Sequence, residues 1–489
     1  MQALSDGKPS LALCVDLDGT LIKTDLSVES FLGVVKSSPW LVFLMPFWIL
    51  QGRSVLKAHL AKRAHIDVAV LPYRNEVLQL VEVAREKGRM TALVTGSNEG
   101  YAQRIQRHLG IFDHVYASDE HCNLTGRRKA EFLVEKFGEG GYEYVANGRV
   151  DVPVWERAGQ IVTVNAPKSL QKSLARLGKP QRNIDSVPIT AKTWLNAVRS
   201  HQWAKNALLF VPLLTAHRLL DVAAIVSVLN AFLVFGLVAS ATYIVNDLFD
   251  LNSDRHHDRK RHRPFAAGTI SIKAGIVLST AMLAIGTAIS LDLPVGFRLS
   301  LLAYLVSTLL YSFRFKRIAS LDVIVLAGLY TLRVIAGGAA AGVPLSFWLL
   351  AFSMFIFLCL ALVKRVAELI ELQEKETIAE HERSTVRGRE YRTADIPILQ
   401  TLGAVSGYLA VLVIALYINS DEVIALYRTP EILWLVAPLL LLWVTRLWLV
   451  TTRGNMHEDP IFFAIKDPET WVTALVTAGI LAAATVVGL

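Results

Sequence analysis

From Trp203 to the C-terminus, the sequence is dominated by apolar runs long enough to cross a lipid bilayer. About nine such runs approach the roughly 20 residues that a spanning helix needs. They cover residues 203–220, 222–245, 273–291, 294–313, 321–341, 346–363, 398–418, 431–450 and 470–488. Because backbone groups inside a bilayer must be hydrogen-bonded within the segment, we predict an all-α polytopic membrane domain of about nine transmembrane helices.

The charged residues indicate how this domain is oriented. The formal net charge is +8, and Lys and Arg are concentrated in the loops 246–272, 314–320 and 364–397. The intervening turns carry almost none, so the positive-inside rule places these loops in the cytoplasm of a multi-pass inner-membrane protein. The N-terminus lacks the pattern of a cleavable signal peptide, so we expect the N-terminal domain on the same side. Membrane orientation and anionic substrates explain the basic balance, and no nucleic-acid partner is expected.

The first 165 residues have a different pattern, in which short buried-type strands alternate with helices. The predicted strands are Leu11–Leu17, Met90–Thr95, His114–Ser118, Tyr142–Asn147 and Gln160–Asn165. Such alternation predicts a parallel, doubly wound α/β sheet of Rossmann-like type. The polar, proline-containing stretch 179–193 is predicted to be a linker between an N-terminal domain, 1–178, and the membrane domain, 194–489. Cys14, Cys122 and Cys359 lie too far apart to indicate a disulfide or a zinc site.

One apolar run in the N-terminal region, Pro39–Leu50, is too short to span a bilayer. It is interpreted in two ways. It could be a buried helix of a cap on the α/β domain, or it could be an interfacial segment that rests on the membrane.

The strongest functional signal is an acidic motif at the end of a long apolar run, Asn246-Asp247-x-x-Asp250-x-x-x-Asp254. Helical spacing would place the three aspartates on one face, where a cation is needed between them. Oxygen ligands favour Mg²⁺, which commonly bridges carboxylates to substrate phosphates. Lys260 and Arg263 follow and could hold phosphate oxygens. The alternative is a solvated charged loop that only orients the helix.

This motif resembles the first aspartate motif of the UbiA superfamily of membrane prenyltransferases, and the resemblance extends over residues 194–489. It implies transfer of a prenyl group from a prenyl diphosphate. The family's second motif, DxxxD, is replaced here by a segment that contains Lys364, Arg365 and Glu368.

That departure is similar to the decaprenyl-phosphate phosphoribosyltransferase branch of the superfamily. The segments that carry the resemblance are RSHQWAKN (199–206), NDLFDLNSDRHHDRKRHRPFAAG (246–268), LRVIAGG (332–338), VPLSFW (343–348) and KRVAEL (364–369). The resemblance implies phosphoribosyl pyrophosphate (PRPP) as donor, a polyprenyl phosphate as acceptor and Mg²⁺ on Asp247, Asp250 and Asp254. The substrate-binding residues that we expect are Asn246, Lys205, Lys260, Arg263, Lys316, Arg333, Lys364, Arg365 and Glu368.

The N-terminal domain has its own motif, Asp16-Leu17-Asp18-Gly19-Thr20, at the end of a predicted strand. With Thr95 at the end of a later strand and Lys129 at a helix start, it resembles the haloacid dehalogenase (HAD) superfamily. The resemblance implies a helical cap over residues 25–89. Asp16 would be the phosphorylated nucleophile, Asp18 the acid/base, and Thr95 and Lys129 the phosphoryl-binding groups.

The same resemblance implies an Mg²⁺ site formed by Asp16, Asp18, Asn147 and Asp151. Asn147 replaces the usual aspartate of that segment and supplies less charge. The domain is therefore expected to be a slow phosphatase or a retained scaffold.

Three functions follow from these patterns. The first is transfer of 5-phosphoribose from PRPP to a polyprenyl phosphate, with removal of the 5-phosphate by the HAD domain as an optional second step. The second is prenyl transfer to an aromatic or other small acceptor. The third is a non-enzymatic membrane scaffold or transporter, a function that would give the aspartates no role. Assembly into a homo-oligomer is left open.

Overall fold

The computed structural model describes residues 11–120, 122–185, 188–379, 390–420, 423, 427–456 and 459–486. The chain divides into two compact units. The first unit combines the N-terminal residues up to Val198 with Tyr243–Thr280, and the second combines Arg199–Thr242 with Ala281–Leu489. Each unit is described by itself.

A six-stranded parallel sheet, with strand order β3-β2-β1-β4-β5-β6, forms the centre of the first unit. Its strands are β1 Ala12–Val15, β2 Thr91–Asn98, β3 His114–Ser118, β4 Tyr142–Ala146, β5 Gln160–Val164 and β6 Gln181–Ile184. The central strands β1 and β4 are buried at every position, because helices cover both faces of the sheet. The predicted parallel α/β fold is confirmed.

Strand β6 lies inside the segment that the sequence predicted to be a linker. It pairs with β5, and Val162 is opposite Arg182. Its residues are mostly polar and exposed, as an edge strand allows, so they carry no hydrophobic pattern. The linker prediction is therefore wrong for Gln181–Ile184, while the domain limits 1–178, 179–193 and 194–489 remain a prediction.

Nine helices accompany the sheet in the described part of the first unit before Val198. They are α1 Leu26–Ser37, α2 Met45–Gln51, α3 Arg53–Arg63, α4 Asn75–Glu86, α5 Glu99–Leu109, α6 Arg127–Phe137, α7 Val152–Arg157, α8 Lys168–Ala175 and α9 Ala191–Ala197. Helix α1 begins at a side-chain cap, because the carboxylate of Asp25 accepts hydrogen bonds from the amides of Ser27 and Val28.

The apolar segment of undecided role becomes a 3₁₀ helix, Pro39–Phe43, followed by α2. Its residues Leu41, Met45 and Trp48 are buried in one small core with residues of α1 and α3. The cap interpretation is therefore correct for one face of this segment.

The remaining helices include the membrane-spanning ones. They are α10 Val211–Thr215, α11 Val222–Phe249, α12 Leu251–Arg255, α13 Ile272–Ser290, α14 Val295–Phe313, α15 Leu321–Ala341, α16 Phe347–Ala379, α17 Ile396–Ile418, α18 Val436–Thr452, α19 Pro460–Lys466 and α20 Pro468–Val486. Among the described residues, seven stretches are long and apolar enough to cross a membrane. They coincide with α11, α13, α14, α15, α16, α17 and α18. The chain is thus a multi-pass membrane protein.

Two of the nine predicted spans, the first and the last, are not among these seven stretches. Residues 203–220 fold as a 3₁₀ helix, Ser200–Phe210, and the five-residue helix α10, so this predicted span is wrong. Apolar composition alone did not reveal the break before Pro212. The last predicted span, residues 470–488, falls on α20. Its residues 487 and 488 lie outside the described part of the chain.

Helix α16 extends well past the predicted end of its span. It runs to Ala379, so Lys364, Arg365 and Glu368 lie within a helix and not in a loop. The residues after Glu368 are mostly good helix formers, which explains the continuation. The predicted loop 364–397 is corrected accordingly, and residues 380–389 lie outside the described part.

Close backbone contact positions the 3₁₀ helix Ser200–Phe210 in the second unit. A Cβ atom added at Gly337 of α15 would lie 2.1 Å from the carbonyl oxygen of Leu209. No side chain can be accommodated at that distance, so the backbones approach closely because residue 337 is glycine.

We therefore expect Gly337→Ala to lower the free energy of unfolding by about 1–3 kcal/mol, because backbone must move to admit the methyl group. Gly328→Ala on the same helix is the matched control, since a Cβ there meets nothing within 4 Å. The control should be neutral or stabilising by roughly 0.5–1 kcal/mol. Thermal unfolding in detergent measures both, and equal melting temperatures for the two variants would contradict the packing account.

Candidate active sites

The HAD motif lies at the carboxyl edge of the sheet, directly after β1. The Lys129 ammonium, from α6, donates a hydrogen bond to Oδ1 of Asp16 at 2.8 Å. The Thr20 hydroxyl lies 3.4 Å from the other oxygen of that carboxylate. Asp16 and Lys129 are both buried. The structure thus brings the predicted nucleophile and its predicted phosphate-binding cation into contact.

Asp151 and Tyr144 complete a buried network around Lys129. The Tyr144 hydroxyl donates to Asp151 at 2.9 Å and accepts from Lys129 at 2.9 Å, and Lys129 lies 3.6 Å from Asp151. Burial alone would lower the pKa of Lys129, but Asp16 and Asp151 outweigh it and raise that pKa. Burial raises the pKa of Asp151 to about 6. Sequence reasoning missed Tyr144, because an aromatic residue in a buried strand looks like core.

Asp18 has different partners, which suit a proton donor. It accepts hydrogen bonds from the Leu26 amide at 2.8 Å and from the Ser97 hydroxyl. Burial, reinforced by Asp25, raises its pKa to about 7. A carboxyl group that is part-protonated near neutral pH can give and take a proton in a reaction.

Thr95 and Asn147 flank the same loop. The Thr95 hydroxyl accepts from the Ser97 amide at 3.0 Å. Gly19 has φ of +72°, and a Cβ there would lie 2.1 Å from the Asn147 amide nitrogen. The Asn147 side chain therefore lies against the backbone of the Asp16–Thr20 motif.

The cap contributes a residue that sequence analysis did not identify, Lys57 of α3. Its ammonium donates to the Gly96 carbonyl at 2.6 Å, between Thr95 and Ser97. Burial lowers its pKa, against the opposite effect of Asp18. Helix α3 has several basic residues, and sequence alone could not tell which of them faces the site.

The acidic motif of the membrane edge also belongs to the first unit, at the junction of α11 and α12. One guanidinium nitrogen of Arg263 lies 3.1 Å from Asp247 and 2.8 Å from Asp254. Both carboxylates are buried, and burial raises the pKa of Asp254. Asp247 and Asp254 are thus gathered around a single positive group.

Asp250 is bonded to the cap of the HAD domain. The Lys36 ammonium, in the last turn of α1, lies 2.6 Å from the Asp250 carboxylate and 2.8 Å from the Phe249 carbonyl oxygen. Next to it, Glu29 of α1 and Arg255 of α12 form a bidentate ion pair with distances of 2.6 and 2.9 Å. Both side chains of that pair are almost completely buried. More than 200 positions separate these partners, so no local pattern could have predicted the contact.

No group of three or more His, Cys, Asp or Glu side chains is arranged to hold a metal ion within the described ranges. The donor chemistry of Asp247 and Asp254 nevertheless fits a divalent cation. Their oxygens already converge on one nitrogen atom of Arg263, and they are the hard ligands that Mg²⁺ prefers. The metal roles of all seven predicted ligands remain predictions.

A second cluster, within the second unit, joins two of the predicted phosphate-binding lysines. Lys205 and Lys364 lie 2.7 and 3.1 Å from the same carboxylate oxygen of Asp459. Burial alone would raise the pKa of Asp459, but the two lysines hold that pKa well below its usual range. Sequence analysis missed Asp459, because it belongs to none of the motifs that carry the family resemblance.

Arg333, which lies in the middle of an apolar helix, has the partners that such a charge requires. It donates to the Asn206 side chain at 3.2 Å, to the Tyr304 hydroxyl at 3.0 Å and to the Leu329 carbonyl at 2.7 Å. The rings of Phe235, Tyr304 and Tyr330 surround its guanidinium. Its role toward substrate remains a prediction.

Arg365 is held in a buried ion pair. Its Nε donates to Asp322 at 2.5 Å, and its other nitrogens bond Glu368 and the Tyr311 hydroxyl. This arrangement suits a residue that orders the helices as much as one that binds phosphate.

Three further predicted substrate residues lie in or beside helical segments near these clusters in the sequence. Lys260 lies in the exposed turn Lys260–His262, Lys316 in the turn Phe315–Arg317, and Asn246 beside Asp247 in α11. Nothing in the structure tests their roles.

Comparison with known families identifies both parts of the chain. The model of the UbiA prenyltransferase family matches residues 208–467, more than half of the chain. The chain belongs to the UbiA prenyltransferase family. The model of the haloacid dehalogenase-like hydrolases matches residues 13–137, so this UbiA member carries a HAD-like domain at its N-terminus.

Three curated relatives are informative. An uncharacterised protein of Sinorhizobium fredii, y4nM, is 39% identical over 97% of this chain and 91% of its own length. The nodulation protein NoeC of Azorhizobium caulinodans is 31% identical over 58% of this chain and 90% of its own length. The decaprenyl-phosphate phosphoribosyltransferase of Mycolicibacterium smegmatis is 39% identical over 36% of this chain and 56% of its own length. The similarity to that enzyme thus covers about half of it.

The buried pair of Glu29 and Arg255 yields a stability prediction for this UbiA-family protein. We expect Glu29→Ala to cost about 3–5 kcal/mol, because it leaves Arg255 buried without its carboxylate. Amide hydrogen exchange should rise across residues 250–263. The matched control is Lys62→Ala, whose ion pair with Glu120 is exposed and is worth roughly 0–1 kcal/mol. Equal effects of the two substitutions would show that the buried pair does not hold the acidic segment.

Proposed function

We propose that this UbiA-family enzyme transfers the 5-phosphoribosyl group of PRPP to a polyprenyl phosphate, which releases pyrophosphate. The observation that carries the proposal is the lysine pair on Asp459. Lys364 stands where the family's second aspartate motif is expected, so this position offers a cation in place of a metal-binding carboxylate. PRPP has a 5-phosphate in addition to its diphosphate and needs more fixed positive charge than a prenyl diphosphate.

Asp247, Asp250 and Asp254 are assigned to Mg²⁺, which would neutralise the charge that develops on the departing pyrophosphate. In the structure, Arg263 pairs with the carboxylates of Asp247 and Asp254, and Lys36 pairs with the carboxylate of Asp250. Both cations are therefore candidates to turn toward phosphate oxygens when substrate binds. Lys260, Lys316, Arg333 and Arg365 are assigned to the same anionic substrates on the family resemblance.

The acceptor needs little chemical activation. A polyprenyl phosphate is already an anion, so the enzyme does not require a strong general base to make it a nucleophile. The protein would act mainly by positioning the two substrates and by stabilising the charge at the leaving group. The named activity of the Mycolicibacterium smegmatis relative supports this choice of substrates.

The HAD-like domain is proposed to remove the 5-phosphate from the lipid product. Asp16 would attack phosphorus, the ester bond to ribose would break, and the Asp18 carboxyl would protonate the departing ribose oxygen. Water would then attack the phosphorus of the aspartyl phosphate and give a proton to Asp18, so that inorganic phosphate leaves and the Asp16 carboxylate is regenerated. Lys129 and Thr95 would hold the phosphoryl oxygens. Asp16, Asp18, Asn147 and Asp151 are assigned to Mg²⁺, with Asn147 as a neutral ligand that limits the rate. We place this domain and the acidic segment on the cytoplasmic side of the inner membrane.

The donor is tested with membranes that contain the protein, polyprenyl phosphate and an aromatic acceptor. We expect label from the ribose of PRPP to enter the organic phase, and label from a prenyl diphosphate to stay off the aromatic acceptor. Lys364→Ala should raise the KM for PRPP by roughly 10-fold or more, since a charge-assisted hydrogen bond is worth about 1.5–3 kcal/mol. Prenylation of the aromatic acceptor, with no transfer from PRPP, would establish the alternative prenyltransferase function.

The phosphatase step is tested by the ratio of phosphorylated to dephosphorylated ribosyl lipid in reconstituted vesicles. Asp16→Asn should accumulate the 5-phosphorylated lipid while transfer continues, because an amide cannot act as the attacking carboxylate. Asn147→Asp should lower the ratio, since it restores a charged metal ligand. If wild type and both variants give the same ratio, the HAD-like domain does not act on this product, and the transferase proposal is unaffected.

A further inference from the structure

The segment Pro39–Gln51 has an exposed face of large apolar side chains. Trp40, Phe43, Phe47 and Leu50 are 62%, 80%, 63% and 85% exposed. Their neighbours Leu41, Met45 and Trp48 are buried in the cap and hold the segment in place. Four large apolar groups exposed within 11 residues form a contiguous patch, which on a protein surface marks a site of contact with another apolar phase.

Two bonds of helix α1 fix the place of this patch relative to the spanning helices. Lys36, three residues before the segment begins, bonds the carbonyl oxygen of Phe249, which is the last residue of α11. At the other end of α1, Asp25 pairs with Lys273 in the first turn of α13, at 3.1 Å. Both α11 and α13 are long and apolar enough to span a membrane.

Helix α1 therefore lies across the ends of two spanning helices. Its 12 residues extend about 18 Å, and its two ends are bonded to the last residue of α11 and the second residue of α13. The buried pair of Glu29 with Arg255 fastens the middle of α1 to the segment between those spans. The chain that continues from α1, Pro39–Gln51, thus starts next to the end of a helix that is long and apolar enough to span a membrane.

We propose that the exposed face of Pro39–Gln51 inserts into the headgroup region of the same bilayer and anchors the cap of the HAD-like domain there. A short helix with one face held by protein and the other rich in Phe, Trp and Leu suits the depth of about 5–10 Å at which interfacial segments lie. Tryptophan at the edge of such a patch is typical of membrane interfaces. The anchor does not depend on which reaction the transferase catalyses.

The occupant is a lipid surface and not a second copy of the chain, because the bonds of α1 place the patch beside the ends of membrane spans. The anchor would hold the phosphatase-like site close to the height at which the phosphate groups of lipids lie.

The test uses the full-length protein in liposomes, with the exposed Cys122 replaced by serine. Single cysteines at Phe43→Cys, Phe47→Cys and Leu50→Cys carry an environment-sensitive fluorophore, and lipids with a spin label near the headgroup serve as quencher. Met90→Cys and Glu139→Cys are controls, because both positions are exposed and precede strands β2 and β4, at the edge of the sheet opposite the Asp16 motif. Cys14 and Cys359 are buried and should stay unlabelled.

We expect lipid-borne spin labels to quench the fluorescence at the three patch positions several-fold more than at the two control positions. The reason is that a label on the patch would lie in the membrane interface and a label on a control position would lie in water. Quenching at the patch that equals the controls would overturn the proposal. A second outcome would also overturn the proposal: a blue shift of the emission that occurs without quenching by the lipid label and depends on protein density in the vesicles. The patch would then be covered by a second copy of the chain.

Discussion

The compensation of buried charge after helix α11 is the constraint on which the other features of the first unit depend. Asp247 lies in the last turn of a long apolar helix, Asp250 and Asp254 follow it, and a buried carboxylate without a partner is strongly unfavourable. Arg263 supplies the partner for two of them and Lys36 the partner for the third. A metal ion that bound to this motif would have to compete with cations that the chain already provides.

This constraint explains why the first compact unit is not continuous in sequence. The cap helix α1 supplies both Lys36 and Glu29, so the acidic segment is stabilised by a domain that begins more than 200 residues earlier. Tyr243–Thr280 therefore packs in one unit with the HAD-like sheet. The phosphatase-like domain has a structural role for the transferase motif whether or not it hydrolyses a phosphate ester, which gives a reason to retain it even with asparagine at position 147.

The sequence was informative wherever a local pattern determines structure. Apolar runs located seven spanning helices, and alternating strands and helices located five of the six strands, because these elements follow from hydrophobic periodicity over a few residues. The motif around Asp16 located the HAD-like domain because its residues are contiguous in the sequence. The edge strand β6 and the break at Pro212 were missed, since polar residues can form an edge strand and apolar residues can form short helices.

The long-range partners could not have been predicted in this way. Asp459 with Lys205 and Lys364, Lys36 with Asp250, and Lys57 with Gly96 join residues that are distant in the chain. Lys36, Lys57 and Asp459 look like ordinary surface charges in the sequence, while Lys205, Lys364 and Asp250 were predicted as ligands without these partners. Their burial and their shared partners become visible only in the folded chain.

The central claim is that the acidic segment holds a divalent cation when the donor binds. The most direct measurement is a structure of the protein with Mn²⁺ and PRPP, in which anomalous scattering locates the metal. We expect Mn²⁺ bound directly to oxygens of Asp247 and Asp254, with the Arg263 guanidinium moved away from both carboxylates. If PRPP is bound while Arg263 still bridges Asp247 and Asp254 and the metal lies elsewhere, the assignment of this segment to the metal is wrong.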